Sequence, residues 1–120
     1  MTPSSRDPAP FLPLPAATFH ILVSLAQGDR HGYAIIQEVA ERTSGALKLS
    51  AGTLYRSIHR MLEQGLVSET STRPAPALDD ERRRYYRLTP LGLRVMRAET
   101  ERLAELVRMA RATGVVSRPS

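Results

Sequence analysis

Apolar positions recur along the chain at helical spacing, and the clearest run is Ser50 to Gly65. Leu54, Ile58, Met61 and Leu62 fall at i, i+4, i+7 and i+8, one stripe of a helix. Ser50 is placed to cap its start and Gly65 to end it in a left-handed conformation. Thr53, Arg56, Arg60 and Glu63 occupy the opposite side, with Tyr55 and His59 at the boundary. Upstream, a helix opening at Pro15 or Ala16 carries Phe19, Leu22, Val23 and Ala26, widened by Ile21 and Leu25. A helix apolar on several sides is expected to be buried on more than one, with part of it in a subunit interface. Gln27 to Arg30 reads as a turn. A second helix runs from His31-Gly32-Tyr33 to about Thr43, with Tyr33, Ile36, Val39 and Ala40 inward, helped by Ile35. Leu47-Lys48-Leu49 alternates as a very short strand would.

Beyond Gly65 the period changes. Residues 66–72 favour strand, 73–81 are a proline-broken loop, and 82–88 read as a returning strand. Tyr86 and Leu88 share one face of that strand, Tyr85 and Arg87 the other, and the pattern leaves open which tyrosine is inside. Thr89-Pro90 restarts a helix that continues to about Ala112. Met96, Leu103 and Ala110 repeat every seven residues, joined by Leu106 and Val107. Glu99–Arg102 and Glu105–Arg108, among the polar residues between these, are i, i+3 pairs worth about a few tenths of a kcal/mol each. So long a helix projects past a small core. Its seam is expected to meet a second copy of the chain, the alternative being the chain's own first helix.

The expected fold is mainly α with a small β-hairpin: a winged helix-turn-helix plus a long C-terminal dimerisation helix. The expected divisions are a disordered or loosely attached arm over 1–13, the winged domain over 14–89, the dimerisation helix over 90–113 and a frayed tail over 114–120.

Composition narrows the function. The chain has 120 residues, 17 Lys+Arg against 12 Asp+Glu, and a net charge of +5, which suggests a polyanionic partner. Absence of cysteine excludes disulfides, thiolate metal sites and a cysteine nucleophile. No apolar run is long enough to span a bilayer and no secretory signal pattern opens the chain, so a cytoplasmic location is expected. His20, His31 and His59 are scattered without i, i+4 pairing, and no metal site is expected; His31 and His59 should face solvent or phosphate. Asp79-Asp80-Glu81 adjoins three arginines and should be neutralised by them. With no Gly-rich phosphate loop and no nucleophile elbow, neither enzymatic activity nor a cofactor is expected. The outer face of the 50–65 helix suits a DNA groove, although by itself it would equally suit solvent. Arg82, Arg83 and Arg84 in a hairpin tip would meet phosphates or a minor groove.

His31-Gly32-Tyr33, Gly52-Thr53-Leu54-Tyr55, Leu62-Glu63-Gln64-Gly65-Leu66-Val67 and Arg84-Tyr85-Tyr86-Arg87-Leu88-Thr89-Pro90-Leu91-Gly92, in this order and spacing, resemble the PadR family of bacterial transcriptional regulators. The resemblance covers roughly Phe19 to Ala112. It implies a homodimer that represses a nearby operon by binding an inverted repeat in double-stranded DNA. It places Tyr33 near the DNA backbone, Ser50, Thr53, Tyr55, Arg56, Ser57, His59 and Arg60 on the recognition helix, and Arg82 to Arg84 at the wing. Gly52 would let the backbone approach a phosphate. Phe19, Leu22, Met96, Leu103, Leu106, Val107 and Ala110 are the expected dimer contacts. Ala51 stands where many members have proline. Some short members hold planar drugs between tryptophans; this chain has none, so a small-molecule effector, if one acts, is bound otherwise. Other readings are a MarR-like winged-helix regulator and a protein-interaction module.

Overall fold

Three side-chain caps and one left-handed glycine set the main helix boundaries. A computed structural model describes residues 7–70 and 84–115. Among them are a short 3-10 helix (Ala9–Phe11), α1 (Ala16–Leu25), β1 (Arg30–His31), α2 (Gly32–Arg42), α3 (Ala51–Gln64), β2 (Val67–Thr70), β3 (Tyr85–Leu88) and α4 (Pro90–Ala112). Ser50 Oγ accepts from the Thr53 N–H at 3.1 Å and starts α3. Gly65, with φ of 78°, ends it in the left-handed conformation that glycine adopts without strain. Thr89 Oγ1 accepts from the Gly92 N–H at 3.0 Å and starts α4. His31, expected to face solvent or phosphate, instead caps α2. Its Nδ1 accepts from the Ala34 N–H at 3.1 Å, and its ring stands edge-on to Tyr85.

The expected hairpin is part of a three-stranded antiparallel sheet in the order β1-β3-β2. Val67 pairs with Leu88 and Thr70 with Tyr85, while Arg30, expected in a turn, pairs with Tyr86. A two-residue strand has no period to betray it; the open edge of β3 creates it. Leu47 to Leu49 forms no strand. Leu49 is buried and Leu47 packs on the core, so their alternation records burial in an extended connection rather than pairing. Tyr86 is the inward tyrosine and Tyr85 is half-buried.

The core joins Ile21, Leu22 and Leu25 of α1, Ile35 and Val39 of α2, Leu54, Ile58 and Met61 of α3, and Leu91 and Val95 of α4. Three expectations are corrected. Leu22, expected at a subunit interface, is 0% exposed within its own chain. Tyr33, expected inward, is 60% exposed, because the inner line of α2 runs through Gly32, Ile35 and Val39. The described part of the expected loose arm packs down: Phe11 and Leu12, with Leu14 just beyond the arm, lie against the core.

Glu99 explains that docking. Expected only as the i, i+3 partner of Arg102, it is 1% exposed. Its Oε2 accepts from the Leu14 N–H at 3.0 Å, and both carboxylate oxygens accept from the Arg102 guanidinium. A buried carboxylate persists only when so satisfied. α4 is thereby buried along its first half and exposed from Ala104 onward.

Two stability predictions follow from these contacts. A methyl group at Gly92 would overlap the Leu66 carbonyl oxygen, a backbone atom with little freedom to move. Gly92→Ala is therefore expected to cost about 3 kcal/mol in urea unfolding. The Arg102 guanidinium, aided by the Leu14 N–H, holds the Glu99 carboxyl below its ordinary value of 4.5, against the opposing effect of burial. A depressed carboxyl stabilises the fold above its ordinary value, and that stabilisation is lost as pH falls through the depressed one. Urea midpoints from pH 7 to pH 3 should therefore fall less steeply for Glu99→Gln than for the wild type, from a lower starting value at pH 7.

Candidate nucleic-acid interface

Burial of Leu54, Ile58 and Met61 leaves Gly52, Arg56, His59, Arg60 and Glu63 of α3 exposed, with Thr53, Tyr55 and Ser57 half-buried. Thr53, Arg56, Ser57 and Arg60 follow each other at helical spacing in one line, as neighbours on the same face. Thr53 Oγ1 sits 3.0 Å from Ser50 Oγ and 3.5 Å from a guanidinium nitrogen of Arg56. Ser50 is thus committed first to capping the helix. Gly52 keeps the first turn open beside Arg56: a Cβ there would stand 3.4 Å from the guanidinium.

The charges sort by partner. Arg30 meets Glu38 at 2.6 Å and the Ser24 carbonyl at 3.0 Å. Arg42 also pairs with Glu38, Arg84 with Glu69, and Arg87 with Asp29 through two nitrogens. The Arg87 hydrogen bonds lower the Asp29 carboxyl below its usual range. Arg56 and Arg60 face no carboxylate among the described residues, and His59 has no hydrogen-bond partner there. The unneutralised basic groups of α3 are therefore presented on the side away from the core.

Of the remaining expected residues, Tyr33 projects from the first turn of α2. Tyr55 is turned partly inward: its hydroxyl lies where a Cβ on Gly32 would stand, which packs α3 against α2. Arg84 leads into β3, while Arg82 and Arg83, like the acidic run 79–81, lie outside the described residues. The three histidines fall on α1, at the cap of α2 and on α3. Among the described residues, no group of three or more His, Cys, Asp or Glu side chains could hold a metal. No helix among them is long and apolar enough to cross a membrane.

One neighbour of this face escaped the sequence pattern. The first turn of α1 comes up beside α3, and Pro15 and Thr18 join Thr53, Arg56, Ser57 and Arg60 around an open cleft of about 150 Å³. No periodicity signals that proximity, since it depends on how the two helices cross.

Residues 21–98 match the profile of the Transcriptional regulator PadR-like family. A transcriptional regulator of Mycobacterium tuberculosis is 35% identical over 94 residues, spanning 78% of this chain and 80% of that protein. Among solved structures, a transcriptional regulator from Clostridium thermocellum superimposes with a TM-score of 0.67 at 26% identity, covering 82% of this chain and 92% of that one. A PadR family transcription regulator from Clostridium difficile gives a TM-score of 0.67 at 25% identity, over 80% of this chain and 95% of its own.

Proposed function

The chain belongs to the PadR-like family of transcriptional regulators, and from that premise we propose that it is a cytoplasmic, homodimeric repressor of an inverted-repeat operator in double-stranded DNA. The observation that carries the reading is the outer face of α3. Arg56 and Arg60 stand there without carboxylate partners among the described residues, on a helix whose ends are capped and whose other face is buried. Thr53, Arg56, Ser57, His59 and Arg60 are the groove-facing set, with Tyr33 and the wing arginines Arg82, Arg83 and Arg84 toward the backbone. Ser50 and Gly52 present the start of the helix, and Tyr55 sets its seat.

The dimer is supported by the end of α4. Leu106, Val107 and Met109 are exposed together on the last turns, an apolar surface that a second copy would cover. Ala110 lies beside them at the same end of α4, and Leu103, Met96 and Phe19 continue toward the winged core. Two such copies would set their α3 helices into successive major grooves, about 34 Å apart. An effector that holds them at another separation would release the DNA.

Fluorescence anisotropy against duplexes tiled across the protein's own upstream region, at two salt concentrations, tests the reading. One tile containing an inverted repeat should bind far more tightly than the rest, and more weakly at high salt. Arg56→Ala and Arg60→Ala should each weaken that binding by about ten- to a hundredfold. Binding of no duplex at low salt would instead favour a protein-interaction module. Sedimentation equilibrium tests the assembly: Val107→Glu should convert a dimer into a folded monomer.

A further inference from the structure

We propose that the cleft between the first turn of α1 and the outer face of α3 is a phosphate clamp, and that one backbone phosphodiester of the bound duplex occupies it; this rests on the DNA-binding reading above. Its side-chain polar groups are the hydroxyls of Thr18, Thr53 and Ser57 and the guanidinium groups of Arg56 and Arg60. All can donate hydrogen bonds, and no carboxylate lines the cleft.

Thr18 points to a ligand independently. It is 8% exposed, it lines the cleft, and its hydroxyl makes no hydrogen bond among the described residues. With the rest of the residue buried, its hydroxyl faces only the open cleft and is free to donate to an acceptor that enters. The helix beneath it adds to the attraction for an anion. α1 begins at Pro15 with no side-chain cap and no acidic residue in its first turn. The N–H groups of Ala16, Ala17 and Thr18 therefore lie at an uncapped, positive helix end. Across the cleft, Arg60 has no partner among the described residues, and Arg56 has only the 3.5 Å contact to Thr53 Oγ1.

The choice of a DNA phosphate over a free oxyanion follows from position. Four of the six lining residues belong to the groove-facing line of α3. A duplex seated on that line carries a phosphodiester strand along its edge, where the first turn of α1 stands. The cleft is open to solvent, so salt screens its charges; a duplex overcomes this by presenting phosphates at high local density. Within the clamp, Thr18, Ser57 and Arg60 hold the phosphate without reading sequence, while Thr53 and Arg56 at its rim also reach base edges.

The test compares Thr18→Val, which keeps the side-chain shape, Thr18→Ser, which keeps the hydroxyl, and Arg60→Gln, which alters an exposed residue. Each is titrated against the tightest tile and a scrambled duplex of equal length over a range of salt. Thr18→Val should weaken both duplexes about tenfold, and Thr18→Ser should restore them. Arg60→Gln should weaken both, lower the slope of log K against log salt by about 0.9, and leave the ratio between the duplexes unchanged. Wild-type affinity for Thr18→Val together with a wild-type slope for Arg60→Gln would overturn the clamp while leaving DNA binding intact. A changed ratio for Arg60→Gln would assign it to a base and also overturn the clamp. Inorganic phosphate, followed by the amide shifts of Ala17 and Thr18, separates the two sources. Saturation at submillimolar phosphate with displacement of duplex would make this a free-anion site and overturn the DNA assignment. Failure of the wild type to bind any duplex would remove the parent reading and the clamp together.

Discussion

The end of α3 and the start of α4 are held by a single polar joint on which the rest of the arrangement depends. The Thr89 hydroxyl donates to the Gly65 carbonyl at 2.6 Å, with the Leu66 carbonyl also within reach at 3.0 Å, and accepts from the Gly92 N–H. The Thr89 N–H donates to Leu66 O at 3.1 Å. One side chain thus caps one helix and closes the end of another, 24 residues away in sequence. Gly92 permits the closeness, because any side chain there would collide with Leu66. The end of the helix with the basic outer face and the start of the helix with the exposed apolar end are therefore in direct contact. In the proposed dimer, a change in how two α4 helices pack would pass directly to the separation of the two α3 helices.

Electrostatics divides the molecule along the same lines. In the winged part away from α3, Arg30 and Arg42 are tied to Glu38, Arg84 to Glu69 and Arg87 to Asp29, and on α4 Arg102 is tied to Glu99, whereas Arg94, Arg97 and Arg111 of α4 have no carboxylate partner among the described residues. The exposed pairs among these contribute little to stability, since solvent screens them. They do remove positive charge from the surfaces that carry them. The arginines of α3 keep theirs, so the outer face of α3 is one of the places where the net charge of +5 is expressed, unpaired arginines of α4 being the other. Glu99 is the exception among the pairs. Buried and doubly satisfied, it anchors the segment ahead of α1 and so contributes to where the first turn of α1 lies.

Much of this was legible in the residues. Ser50, Gly65, Thr89 and Pro90 act within a few positions of themselves, so caps and helix ends could be read directly, and the stripe of Leu54, Ile58 and Met61 announced which side of α3 is buried. The Tyr85 to Leu88 alternation named two faces but not which was inside, because both carry a tyrosine. The outer face of α3 could be listed residue by residue for the same reason that its inner face could: a helix has one period.

What the chain could not reveal were contacts between distant segments with no local signature. Arg30 and His31 become a strand only because β3 has a free edge beside them. Leu22 lies in the core rather than at a surface because α2, α3 and α4 all pack against α1, and an apolar stripe looks the same whether its own chain or another covers it. Glu99 looked like only the i, i+3 partner of Arg102 until the Leu14 N–H arrived across 85 positions. Thr18 gained its place beside Arg60 through the crossing of α1 and α3. Local chemistry determined the elements and their polar and apolar faces; tertiary packing decided which groups are covered, which are paired, and which are left open to a partner, because burial and pairing are properties of neighbours that sequence distance does not record.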